Sequence, residues 1–284
     1  MTILVTGATG AYGHHALEVL KTLVPDQEVF ALARTQEKAD QLSAEGFQTR
    51  IGDYFDQESL NTALKGIDRL LFVSSNDLND RQTQHQNVVK AAQANNVNYI
   101  AYTSASKADT PARQLAKDHK FTEELIADAG IDHTFLRNNF YLENEMPILG
   151  AALKAGRLVH AAKDGQVGWG TRDEFAEIGA RAVSGQFDFP AIIEVGGPLQ
   201  TYGQLGEALA KATGKDIEIV EGDAEAASTF LQEAGFPKNV ADYIGMMQQA
   251  LQSNSAAVPA DDMAKYLGRD MISTEAALRK LFAK

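Results

Sequence analysis

The stretch Thr2-Ile3-Leu4-Val5-Thr6-Gly7-Ala8-Thr9-Gly10-Ala11-Tyr12-Gly13 constrains the fold of this chain more than any other. A short apolar, β-branched run enters three glycines spaced Gly7-x-x-Gly10-x-x-Gly13, and a helical period (Ala16, Leu17, Leu20, Leu23) begins at once. A strand, a tight turn and a helix start in this order suit a pyrophosphate. Glycine permits unusual dihedrals and close backbone approach, and a helix N-terminus offers N–H groups with a favourable dipole. The spacing differs from the G-x-G-x-x-G of the usual dinucleotide fingerprint, so its meaning depends on the elements around it.

Downstream, strand and helix patterns alternate. Residues 28–33, 47–51, 69–74, 99–103 and 133–137 read as further strands, separated by helical patterns at 38–44, 56–64, 82–95 and 115–129. Strands that alternate with helices, without hairpin signals, predict an α/β fold: a Rossmann-like doubly wound parallel sheet with right-handed crossovers. Ligands of such a sheet sit at the carboxyl ends of its strands, here after Thr6, Ala33, Ile51, Val73, Tyr102 and Arg137. Beyond residue 140 the order loosens. A helix near 144–155, a strand at 158–161, a glycine-rich loop at 163–170, a strand at 192–195, a late strand at 217–220 and helices over most of 224–252 are expected, with a terminal helix near 276–282. Thr171 with Glu174, and Thr201 with Gln204, fit capping boxes. We therefore expect a dinucleotide-binding domain over 1–140 and a smaller α+β substrate-side domain over 141–284. The strands at 158–161 and 192–195 are expected to join or flank the first sheet.

Composition removes several function classes. The net charge of -12 argues against a broad nucleic-acid footprint, which needs clustered Lys and Arg. The absence of cysteine excludes disulfides, thiolate nucleophiles and cysteine-ligated metals, so redox chemistry must come from a bound cofactor. No apolar run approaches the roughly 18 residues needed to span a bilayer, and with the first strand expected from residue 2, cleavage of a leader would be expected to destroy the fold's first element. A cytoplasmic protein without membrane insertion is expected, of undetermined oligomeric state.

Several residues stand where chemistry belongs. Arg34 ends the second strand, where an acid would bind the ribose of NAD and an Arg pairs with the 2′-phosphate of NADP; no Asp or Glu lies between Val29 and Gln36. NADP(H) is thus the expected cofactor. Asp53, at the end of the third strand, is placed to meet an adenine amino group or to serve as a loop acid. Ser74 and Ser75, and Tyr102, Thr103 and Ser104, end the fourth and fifth strands, where they would line the nicotinamide and its ribose. Phe140, Tyr141 and Trp169 offer walls for a flat acceptor, or simply pack in the core. His14, His15, His85, His133 and His160 are scattered, and no metal is expected.

Taken together, Gly7 to Gly13, Gly52-Asp53-Tyr54, Ala101-Tyr102-Thr103-Ser104 and Leu136-Arg137-Asn138-Asn139-Phe140-Tyr141-Leu142-Glu143-Asn144 resemble the NmrA-like atypical short-chain dehydrogenases/reductases. The likeness extends over nearly the whole chain and points most to the type 2 NAD(P)H:quinone oxidoreductases and triphenylmethane reductases. It implies a flavin-free reductase in which NADPH gives hydride to a quinone lying between the Rossmann core and a small C-terminal domain. By position, Gly7, Thr9, Gly10, Ala11, Tyr12 and Gly13 would hold the pyrophosphate, Arg34 the 2′-phosphate, and Ser74 and Ser75 the ribose region. Asn138, Asn139, Phe140 and Tyr141 would hold the nicotinamide and the substrate mouth. The active-site Lys of some relatives falls on His119, which would donate a proton or hydrogen-bond the quinone oxygen, or else be a helix-surface residue.

One absence carries weight. Ordinary short-chain dehydrogenases use a Tyr with a Lys four residues on, and no Tyr here has that partner. Quinone reduction tolerates the loss, because the oxygen it generates is phenolate-like, with a pKa near that of a phenol at about 10. Positioning of donor and acceptor can then supply most of the catalysis. A non-catalytic NADP(H)-binding redox sensor of the NmrA-like type is the alternative, and reduction of another conjugated acceptor, such as a dye, a third reading.

Overall fold

The computed structural model describes residues 1–77, 79–110, 116–258 and 261–283; the expected helix start at 115 lies outside them. In chain order the elements are β1 (Thr2–Val5), α1 (Ala11–Leu23), β2 (Glu28–Ala33), α2 (Gln36–Ala44), β3 (Gln48–Ile51), α3 (Gln57–Ala63), β4 (Arg69–Phe72), α4 (Arg81–Ala94), β5 (Tyr99–Ala105), α5 (Lys117–Asp128) and β6 (Asp132–Asn138). There follow α6 (Met146–Ala155), β7 (Arg157–His160), β8 (Val167–Gly168), α7 (Arg172–Ser184), β9 (Ile192–Val195), β10 (Leu199–Gln200), α8 (Tyr202–Thr213), β11 (Glu218–Glu221), α9 (Ala224–Glu233), α10 (Lys238–Ala250), α11 (Asp261–Leu267) and α12 (Thr274–Phe282).

Seven parallel strands form the central sheet in the order β3-β2-β1-β4-β5-β6-β9. The six expected strands are all present, and the stretch at 192–195 joins as the seventh, with the Phe135 N–H donating to the Ala191 carbonyl at 2.8 Å. The sheet is apolar on both sides, as a parallel sheet covered by helices must be. Leu4, Leu70, Phe72, Ile100 and Phe135 pack with Leu60, Val88, Ala92 and Ile126 of α3, α4 and α5. On the other face α7 packs against α1 and against β4, β5 and β6. The strand order reverses direction between β1 and β4, which defines the switch point where ligands of open α/β sheets bind.

The chain divides into two compact units, one of Met1–Asn138 with Arg172–Glu194, the other of Asn139–Thr171 with Val195–Lys284. The division differs from the expected continuous one because α7 and most of β9 belong with the first unit: α7 covers a sheet face that would otherwise meet water. The expected strand at 158–161 does not join the main sheet. It is β7, paired in parallel with β11 from Arg157↔Glu218 to His160↔Glu221. Four residues of strand pattern cannot specify a partner, and here a remote segment supplies it. A second small ladder, antiparallel, pairs β8 with β10. The second unit has its own core, built from Leu142, Leu149, Leu158, Trp169, Leu205 and Phe230 among others. The capping box at Thr201 and Gln204 is formed at the start of α8.

Candidate active site

The turn after β1 lies at the switch point. Gly7 has φ +60, and a Cβ there would approach the Cβ of Val73, past the end of β4, to 3.0 Å. The Gly10 N–H closes the turn onto the Gly7 carbonyl at 2.9 Å. Gly13 is required for another reason: a Cβ would lie 2.4 Å from the Gly7 carbonyl oxygen and 2.9 Å from that of Thr6, so only glycine lets α1 start this close to the strand. Gly10 caps α1 without a side-chain hydrogen bond, and Gly7, Thr9, Gly10 and Ala11 are exposed. The first N–H groups of a helix have no intrahelical partner, so this end of α1 suits an anionic pyrophosphate. Gly13→Ala is expected to cost about 1–3 kcal/mol of stability and to abolish dinucleotide binding, measured by thermal unfolding and calorimetric titration. Tyr12 departs from the expectation in its side chain. Its ring is buried and its hydroxyl donates to the Phe175 carbonyl of α7 at 2.9 Å, so only its backbone belongs to the turn.

The next strand ends carry the adenosine-side residues. Arg34 follows β2 directly and is exposed. Asp53, after β3, accepts from the Phe55 N–H at 3.0 Å while its own N–H donates to Ser59 Oγ, so it organises its loop. Tyr54 turns inward, and its hydroxyl donates to the Val73 carbonyl at 3.0 Å.

The turn after β4 is held from several sides. Val73 N–H donates to Thr6 Oγ1 at 2.8 Å, Ser74 N–H to Thr103 Oγ1 at 2.8 Å, and Ser75 N–H to His85 Nε2 at 2.9 Å. The Arg81 Nε donates to the Ser75 carbonyl at 2.9 Å. Among the hydroxyls that end β5, Thr103 thus reaches the turn, whereas Tyr102 and Ser104 do not line it. Alternation along β5 sends both toward the side covered by α4 and α5: Tyr102 is fully buried against Phe72 and His85, and Ser104 Oγ donates to Glu123 Oε1 of α5 at 2.6 Å.

His119 is half-buried on α5, with Nδ1 3.0 Å from the Tyr102 hydroxyl and Nε2 3.4 Å from Arg81 Nη1. A guanidinium is always a donor, so Nε2 is the acceptor in that contact. Burial and the neighbouring His119 and Arg81 lower the pKa of His85 to about 3, so it is neutral throughout the physiological range. Its Nδ1 pairs with Thr122 Oγ1 at 2.8 Å.

An ionic cluster closes the ends of β5, β6 and β9. Arg137, 7% exposed, forks onto Glu123 through Nε at 2.9 Å and Nη2 at 2.8 Å. Its Nη1 also meets Glu194 at 3.2 Å and Asp109 at 3.0 Å. The guanidinium holds Asp109 below the usual carboxylate range, whereas burial outweighs the same influence at Glu194 and raises it. Next to this cluster Asn138 is buried at the end of β6, its carbonyl accepting from the Ser106 N–H at 2.9 Å.

In the second unit, Asn139 and Trp169 are both buried and hydrogen-bonded within the unit. Asn139 is buried, with Nδ2 donating to the Ala256 carbonyl at 2.7 Å and Oδ1 accepting from the Phe140 N–H at 2.9 Å. Trp169 is 2% exposed, edge-on to Tyr202, with Nε1 donating to Glu145 at 3.2 Å. Of the two fates open to this ring from sequence, an acceptor wall or the core, its burial and its place in the second unit's core show packing in the core. Phe140 and Tyr141 are half-buried, and Tyr141 bridges to Gly170.

Glu145 accepts from both Trp169 and the Tyr202 hydroxyl, and burial raises its pKa to about 6. An acid raised in the folded state from 4.5 to about 6 loses folded stability as pH climbs through that window, in total about 2 kcal/mol. Glu145→Gln is therefore expected to match the parent near pH 4.5 and to exceed it by up to about 2 kcal/mol above pH 6, in denaturant unfolding at both pH values. Among the described residues no three His, Asp or Glu side chains gather as a metal site.

A family model described as NAD(P)H-binding matches residues 7–176. Quinone oxidoreductase 2 of Escherichia coli (strain K12) is 35% identical to the chain over 99% of it and 98% of the relative. The chain belongs to the NAD(P)H-binding, NmrA-like reductase family. A crystal structure of the NADPH-dependent quinone oxidoreductase of Escherichia coli with NADPH superposes with TM-score 0.91 at 34% identity, covering 99% of this chain and all of that one. Triphenylmethane reductase of Citrobacter sp. superposes with TM-score 0.93 at 30% identity over the full length of both. Family membership accords with the turn after β1, which fits a dinucleotide on its own geometry.

Reading the sequence missed Thr6, Arg81 and His85 as parts of the site. A signal existed: Arg81 and His85 lie four apart, and His85 falls three before Val88 on the apolar stripe of α4. Polar residues on a buried helix face must find polar partners, and here these are the turn after β4 and α5.

Proposed function

We propose that this chain is an NADPH-dependent reductase that transfers hydride to a quinone or a similar flat conjugated acceptor, without flavin or metal. The observation that carries this reading is the uncapped start of α1 at the switch point, with Arg34 at the next strand end, in a chain alike over its length to quinone oxidoreductase 2. Bound NADPH supplies the hydride. The protein would hold the pyrophosphate on the N–H groups at the start of α1, from Ala11 to Gly13, the 2′-phosphate on Arg34, and the nicotinamide side against Ser74, Ser75 and Asn138. His119 is the candidate group beside the reacting centre, with Tyr102 fixing its Nδ1 side; Phe140 and Tyr141 are candidates for the acceptor side. A phenolate-like product oxygen needs only a weak proton donor, which suits a site without the Tyr and Lys pair. A cytoplasmic location goes with this proposal.

NADPH absorbance is expected to fall when a small water-soluble quinone is added to the purified protein. No consumption across several quinones and triphenylmethane dyes, with NADPH bound, would replace this reading with the redox sensor.

A further inference from the structure

The turns after β1 and β4 face the same switch point but have opposite hydrogen-bonding character. The turn after β1 presents N–H donors, since α1 starts without a side-chain cap. In the turn after β4 four backbone donors are engaged: the amides of Val73, Ser74, Ser75 and Asp77 go to Thr6 Oγ1, Thr103 Oγ1, His85 Nε2 and Ser75 Oγ. At Ser74 and Ser75 this leaves oxygen atoms as the groups on offer, with Ser74 Oγ also accepting from the Thr103 hydroxyl at 3.3 Å. Amides engaged in this way offer phosphate no donor, whereas the oxygen atoms beside them accept from hydroxyl and amide N–H groups.

His85 is built for this task. An imidazole nitrogen accepts an amide N–H only when unprotonated, so Nε2 is bare and the proton sits on Nδ1. That proton goes to Thr122 Oγ1 at 2.8 Å, and the Thr122 hydroxyl donates to the Asp118 carbonyl at 2.8 Å, so the chain of donors ends in backbone. Phe72, Tyr54 and Tyr102 pack around the ring at their edges. Arg81, one turn earlier on α4, grips the carbonyl of the same Ser75 whose amide His85 takes.

We propose that His85 is a positioning residue for the cofactor: by taking the Ser75 amide it completes an acceptor surface for the hydroxyl- and amide-bearing nicotinamide riboside half. The donor-rich turn after β1 keeps the phosphates, and the two turns together fix which way the dinucleotide lies. This rests on the NADPH reading above, which a parent protein unable to bind NADPH would refute by itself.

The test compares two ligands by calorimetric titration, NADPH and adenosine 2′,5′-bisphosphate, which lacks the riboside half. His85→Leu, which frees the Ser75 amide, is expected to weaken NADPH about ten-fold and to leave the bisphosphate unchanged. His85→Gln, whose side-chain oxygen can accept the amide, is expected to stay within about three-fold of the parent for both. Thr103→Val, which frees the Ser74 amide, gives the same selective loss and serves if His85→Leu does not fold. Equal loss for both ligands, no loss for NADPH, or a His85→Gln variant as impaired as His85→Leu overturns the proposal while leaving the NADPH reading intact.

Discussion

Arg34→Ala is expected to weaken NADPH binding by about 10- to 100-fold and to leave NADH within about two-fold, measured by titration of each cofactor or from KM with a fixed quinone. The magnitude follows from losing a charge-assisted contact to a doubly charged phosphate, about 1.5–3 kcal/mol, where each 1.4 kcal/mol is ten-fold. The selectivity follows from position: Arg34 is exposed directly after β2, next to Thr35, which caps α2. Lys38 lies one turn on, but its Nζ donates to Gln41 at 2.9 Å. A loss equal for both cofactors would mean that Arg34 supports the fold or the pyrophosphate and does not choose the dinucleotide. Added salt is expected to narrow the gap, because the contact is made in water.

Arg137→Met is expected to be the most destabilising of these substitutions, by about 3–5 kcal/mol in chemical unfolding. Removing the guanidinium strands Glu123, itself 6% exposed, with the Ser104 hydroxyl still donating to it, and leaves Glu194 and Asp109 close together without their shared cation. The cost comes from a carboxylate left buried without a counter-charge. The double substitution Arg137→Met with Glu123→Leu should therefore recover much of the loss, since an apolar pair of similar volume is often no worse than a buried ion pair. Failure of the second change to recover stability would place the role of Arg137 in its contacts with Glu194 and Asp109. Either result bears on function, because this cluster pins the ends of β5 and β6 from which Thr103 and Asn138 project.

The first unit was largely legible in sequence because its rules are local. A parallel strand buried on both faces must be a short apolar run, so β1, β2, β4, β5 and β6 announced themselves. The glycines of the first turn did likewise, since Gly7 needs a left-handed backbone and Gly13 a missing Cβ. Side-chain direction at the strand ends was less legible. Tyr102, Thr103 and Ser104 looked alike as hydroxyls at one edge, but alternation assigns Thr103 to the turn and the other two to α5. The burial of Asn139 and Trp169 was illegible for a related reason: a polar or aromatic residue in a loop has either fate until the partners that bury it, Ala256 and Glu145, are brought in by the fold.

The sequence by itself determined a parallel α/β sheet and a glycine turn at its first strand suited to a phosphate, and it put Arg34 where a preference for NADP is expected. Those features follow from period, glycine spacing and the charge of one residue, all of which act over a few positions. Only the tertiary structure decided that α7 and β9 return to the first unit, that β7 pairs with β11, and that His85 and Arg81 govern the turn after β4. These depend on contacts between residues far apart in the chain, and a buried polar group takes whichever partner the fold delivers to it.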